Sequence, residues 1–276
     1  MKNTTLITLL ALAVGFSSNV MAETHPERQA NADSGFDKFL DDETLFNGKF
    51  SLWTELATDY VFRGESETND GEIPSLKAAL TWTHESGVYA GLYVANNLFP
   101  TDPTTNNGDD TNPNINAIYG PYIGYAGEIG NSGINYNGFL FQYLYPGDSD
   151  SNYLEMFNYI DKQFDSVNIK LEYSPTLTDW FGAEGVQSHN VAIHPSISLP
   201  HHITLSGSLG RQMFDSQYDA DWTHWNVGIS RNMFGFTVDL RYHDTDIKKG
   251  ENDFYGYDYN HQIVDSRFVA GISKTF

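Results

Sequence analysis

The stretch "VNIKLEYS", residues 167–174, decides how the rest of the chain is read. Val167, Ile169, Leu171 and Tyr173 alternate with Asn168, Lys170 and Glu172. Successive side chains of a strand point to opposite faces, so this segment has one apolar face and one charged face. The pattern recurs in both directions. In "SLKAALTWT" (75–83), Leu76, Ala78, Leu80 and Trp82 oppose Ser75, Lys77, Thr81 and Thr83. In "VYAGLYVAN" (88–96), Val88, Ala90, Leu92 and Val94 oppose Tyr89, Gly91 and Tyr93. In "FTVDLRYHD" (236–244), Phe236, Val238, Leu240 and Tyr242 oppose Thr237, Asp239, Arg241 and His243. "FSLWTELATDYVF" (50–62) reads as one long strand with Ser51, Glu55 and Asp59 on a single face. No convincing helical period intervenes.

With "ITLSGSLG", "WNVGIS" and weaker candidates near 116–125, 134–145, 153–164 and 189–199, the reading reaches about twelve strands. Their connections sort by length. Long ones, such as "GESETNDGE", "PTDPTTNNGDDTNP" and "DIKKGENDFYGYDYN", alternate with short ones, "ESG", "GEIGNSG", "DS", "PHH" and "NMFG". That alternation and an even strand number are the habit of single-chain outer-membrane barrels, and a soluble sandwich has no reason for it. The expectation is an all-β, single up-and-down antiparallel transmembrane barrel. Its last strand, "RFVAGISKTF" (267–276), carries Phe268, Ala270, Ile272 and Phe276 on one face. Phe268, Ile272 and Phe276 read as an assembly signal for the barrel-insertion machinery, with Lys274 on the same face snorkelling to water.

Composition agrees. The first 22 residues resemble a secretory signal: Lys2, then the apolar Leu6–Phe16, then Val20-Met21-Ala22. Residues 23–48 read as a polar periplasmic lead-in, and 49–276 as the barrel. Cysteine is absent, so the exported chain forgoes disulfides. Mean hydropathy is only −0.42, yet 14% of residues are aromatic. A sheet apolar on one face and polar on the other, flanked by aromatic belts, produces that combination. The net charge of −21, from 36 acids and 15 bases, argues against nucleic acid as a partner. The partners it leaves are lipid, lipopolysaccharide, the assembly machinery and small solutes.

"TDYVFRG" (58–64), "THESGVYAGLYVAN" (83–96), "YPGDSDSNYLE" (145–155) and "DWTHWNVGISRNMFGFTVDLRYHDTD" (221–246) carry a further signal. With "YSP" (173–175) and the closing "GISKTF", they resemble the proteobacterial TorF-type family of proposed porins, formerly a family of unknown function. The resemblance implies an outer-membrane barrel and names no solute. The loop "TDPTTNNGDDTNP" (101–113) departs from it, being longer than the tight loop expected there.

Polar-face residues expected to line the lumen are Glu55, Asp59, Arg63, Lys77, Lys170, Glu172, Asp239, Arg241 and Arg267. Opposed acids and bases either set a transverse field that tunes ion selectivity or pair across the interior and close it. Asp59 and Arg63, four residues apart, are expected on one strand face. Acids concentrated in the long loops would favour cations at a pore mouth. The expected function is therefore a porin-like channel for small solutes and ions. The alternative is a closed barrel acting through its loops as an adhesin or receptor, and an outer-membrane hydrolase stands behind that.

No catalytic residue, metal site or cofactor is expected. "DSDSN" lacks the Gly and distal Glu of an EF-hand, and H-E-x-x-H and G-x-S-x-G are absent. His189 and His194 have opposite parity, as do His243 and Asp244, so neither pair can share a strand face.

Overall fold

The computed structural model describes residues 47–98, 116–215, 220–247 and 262–276. The signal, nearly all of the lead-in, and the long loop 101–113 lie outside the described residues. The elements are β1 (Gly48–Ala57), β2 (Val61–Phe62), β3 (Glu65–Ser66), β4 (Ser75–His84), β5 (Val88–Asn96), β6 (Ala117–Glu128) and β7 (Ile134–Tyr143). They continue with β8 (Tyr153–Phe164), β9 (Val167–Pro175), β10 (Ser188–Leu199), β11 (Ile203–Phe214), β12 (Trp222–Met233), β13 (Phe236–Thr245) and β14 (Arg267–Thr275). All but β2 and β3 form one closed antiparallel barrel, each strand paired with its chain neighbour and β1 closing on β14. The long and short connections fall at opposite ends.

Alternation fixes which way each wall residue points. Leu76, Leu92, Ile123, Leu171, Val191, Leu209, Val227, Leu240 and Phe268 are exposed on the outside. A continuous apolar exterior of this extent has lipid as its natural solvent. Lys274 shares that outer face, its ammonium 4.4 Å from the Phe276 ring centroid and 5.2 Å from that of Phe236. The charge there rests on two aromatic faces, as well as lying near the strand end.

The aromatic residues depart from the sequence expectation. Many are inside the barrel rather than in flanking belts. Tyr89, Tyr93, Tyr122, Phe139, Phe141, Tyr143, Tyr153 and Phe157, all from β5 to β8, form one buried cluster. Phe139 stacks on Phe157 with centroids 4.8 Å apart, and Tyr143 on Tyr153 at 4.3 Å. Glycine makes room for them: a Cβ on Gly120 would lie 1.8 Å from the Phe141 ring. Half the lumen is thus filled like a protein core. The other half, from β9 round to β14, presents Asn190, Ser206, Ser208, Asn226, Ser230 and histidines, with Phe214 and Trp222 extending the aromatic cluster onto β11 and β12.

The run 50–62 is not one strand, which corrects the sequence reading. β1 ends at Ala57, where its pairing with Ser75 and Gly271 stops. Thr58 still donates its N–H to the Ala270 carbonyl at 2.9 Å. Beyond it the chain turns into the lumen. Val61 and Phe62 pair with Ser66 and Glu65 across a turn at Arg63 and Gly64, whose φ angles are +47° and +92°. Two left-handed residues between paired strands make the two-residue turn of a tight hairpin. The β2–β3 hairpin therefore lies across the inside of the barrel.

Candidate functional site: the lumen and its hairpin

Arg63 at the hairpin tip reaches the far wall. Its Nη2 donates to Glu155 Oε1 on β8 at 2.7 Å and lies 3.5 Å from Glu172 Oε1 on β9. Its own carbonyl accepts from Trp222 Nε1 of β12 at 2.8 Å. The guanidinium also lies over the rings of Phe62 and Phe157, at 4.7 and 5.8 Å. Burial works against the guanidinium charge, but the carboxylates of Glu155 and Glu172 outweigh it and hold the group protonated beyond its usual range. A Cβ on Gly64 would sit 2.7 Å from Thr245 Cβ, so the tip abuts β13 as well.

The root of the hairpin is held separately. Asp59 accepts from Ser66 Oγ at 2.7 Å, Thr68 Oγ1 at 2.5 Å and Arg267 Nη1 of β14 at 2.8 Å. Arg267 Nη1 lies 3.0 Å from Asp70 as well. The expected Asp59–Arg63 partnership on one strand face is therefore corrected: they belong to the root and the tip of a hairpin, each with its own partners. Glu67, just past β3, is buried and accepts from Asn97 Nδ2 at 3.1 Å. Burial, then the charges of Glu65 and Asp59, push its carboxyl up to about 8 against the Asn97 hydrogen bond.

The remaining lumen charges also sit in pairs. Glu55 and Lys77, directly opposed on β1 and β4, form an ion pair, with the ammonium 4.7 Å from the Tyr60 centroid. Arg241 is 3.2 Å from Asp239 and donates to Asn226 at 2.6 Å and Ser206 at 2.9 Å. Glu172 gathers Ser174, Asn190 and His194 at 2.8–2.9 Å. Ser174 and His194 both bond to that carboxylate and not to one another, so no serine is activated there. Lys170 points inward over the Tyr159 ring at 5.0 Å.

Beneath the hairpin tip lies a chamber of about 60 Å³, lined by Arg63, Lys170, Glu172, His194, His224 and His243 among others. His224 meets Asn190 at 2.8 Å. His189, in contrast, is on the outer face stacked on Tyr173, and Asp244 bonds Tyr242 away from His243, as parity required. Among the described residues no group of three or more His, Asp or Glu is placed to hold a metal ion. Sequence reasoning missed Glu155, Asn190, His194 and His224, and it read Glu67 as an external-loop acid where the structure buries it. Only cross-strand register brings the first four together. At the long-loop rim Asp70, Glu72, Asp150, Asp179, Glu184, Asp215, Asp221 and Asp246 are exposed, while Arg211 lies 3.6 Å from both Asp221 and Asp246.

The model of a bacterial protein family of unknown function (Gcw_chp) matches residues 47–276, the whole barrel. The chain belongs to the Gcw_chp family. No curated protein sequence matches it. Solved structures similar to this Gcw_chp chain include porins and channels. The KdgM porin has a TM-score of 0.51 at 10% identity, over 82% of this chain and 99% of that one. The NanC porin has a TM-score of 0.50 at 11% identity, over 82% and 98%. The COG4313 outer membrane channel from Pseudomonas putida F1 has a TM-score of 0.50 at 8% identity, over 92% and 100%. At these identities the likeness is one of fold.

Proposed function

We propose that this barrel is a porin-like channel of a Gram-negative outer membrane, passing small solutes and ions and favouring cations. The observation that carries the reading is the sorting of the wall: apolar outward, and on β9 to β14 mostly polar or charged inward, Ala192, Phe214, Trp222 and Val269 excepted. A wall of that kind separates lipid from water. Solutes pass along the polar half, because the aromatic half is solid. In this reading the long loops face outward from the cell, the short turns face the periplasm, and residues 1–22 direct export. The resemblance to TorF-type barrels supports the same assignment. Exposed carboxylates at the rim concentrate cations at the mouth, so small cationic or neutral solutes enter preferentially.

The aromatic filling and the inserted hairpin favour a second reading, a closed barrel that acts through its outer loops. Planar-bilayer recording of the refolded protein under a salt gradient separates the two. Discrete steps with a cation-directed reversal potential support the channel. A barrel that inserts, shows the heat-modifiable mobility of a folded barrel and stays silent sinks the channel and leaves the loops.

A further inference from the structure

We propose that the β2–β3 hairpin is a gate that leaves the lumen as a unit, with Arg63 as its latch on Glu155 and Glu172. The proposal rests on the channel reading and adds its regulation. With the hairpin docked, its tip touches the wall opposite its root, and the chamber of about 60 Å³ beneath it holds only a few waters. In this proposal the docked hairpin obstructs the polar side of the lumen, and conduction rises when it moves.

Its attachment suits movement. The hairpin is only two residue pairs long, too short to be stable by itself. It adds no strand to the wall. It is held mainly by side chains: Arg63 at the tip, Asp59 at the root, Phe62 against Tyr143 at 6.4 Å between centroids and Tyr60 in the buried cluster, with backbone bonds at the Arg63 and Glu67 carbonyls. On release Arg63 and Asp59 exchange these partners for water, which offsets part of the cost of undocking. The two legs also meet at one place. Gly71, with φ of +73°, stands where an added Cβ would be 3.0 Å from the Thr58 carbonyl. Adjacent legs turning at the strand ends make a natural hinge.

The chain contains no cysteine, which permits a clean test. In the double variant Arg63→Cys/Glu155→Cys the latch is lost. A reducible bis-methanethiosulfonate with a spacer as long as the original side-chain pair can then restore the link covalently. Folding is checked by heat-modifiable mobility and tether formation by mass spectrometry. The expected result in bilayers is an open-to-closed ratio at least tenfold above wild type without the tether, near-silence with it, and recovery on adding reductant. A third protein, with residues 60–67 replaced by two glycines, should conduct continuously. Equal conductance with and without the tether, while the deleted form conducts, overturns the gate and leaves a fixed constriction. Silence of the deleted form overturns the channel reading, and the gate with it.

Discussion

Glu67 gives the most quantitative prediction. Its carboxyl is buried when the hairpin is docked and is held at about 8, against 4.5 in water. Below about pH 4.5 it is protonated in both states, and its contribution to docking is fully present. As pH rises toward 8, the released hairpin ionises first. Each pH unit then weakens docking by about tenfold, about 1.4 kcal/mol. Above 8 both states are ionised and the loss levels off at about 5 kcal/mol in total. The Arg63–Gly64 bond reports release, because trypsin cuts after arginine and this one is only 8% exposed when docked. Where opening and closing outpace cleavage, the rate follows the released population. Between pH 6 and 8 cleavage should rise by about fiftyfold, since the docked carboxyl is itself half ionised at the upper end, after division by the rate for a free peptide of the same sequence. Glu67→Gln should flatten the profile. A flat profile in the wild type, or an equal slope in the glutamine variant, would refute the reasoning.

Other perturbations test other parts of the molecule. Phe141→Ala removes a fully buried ring from the aromatic cluster and should cost about 3–5 kcal/mol, measured by urea titration in bilayers. Leu240→Arg places a charge on the outer face halfway along β13 and should cost about 2–4 kcal/mol in the same assay. Ser230→Arg, pointing inward from β12, should cost markedly less. Replacing Asp215, Asp221 and Asp246 together with asparagine should move the reversal potential toward zero with little change in conductance.

The barrel was legible because its signal is local. Parity within a strand is enough to place Leu171 outside and Glu172 inside, and it separated His189 from His194. Loop lengths supplied the topology. The hairpin was hidden because Asp59, Val61 and Arg63 continue the alternation of β1 without a break. Only Gly64 hints at a turn, and nothing local says that the chain bends inward. The aromatic cluster was half legible: parity set Tyr89 and Tyr93 against Val88 and Leu92, but high aromatic content suggested belts. The gathering of Arg63, Glu155 and Glu172 depends on register across β8 and β9 and on a loop crossing the lumen. These are properties of the assembled object, not of any window of sequence.

The bond from Arg267 to Asp59 joins residues 208 positions apart. One partner lies on the last strand, the other just beyond the first. The seat of the hairpin is therefore complete only when the two ends of the sheet meet, the slowest kind of contact to make. A growing sheet of β4 to β13 has Glu155, Glu172 and Asn97 in place but lacks Arg267, the cation that holds Asp59. The hairpin's seat is then finished last, by the strand that also closes the wall.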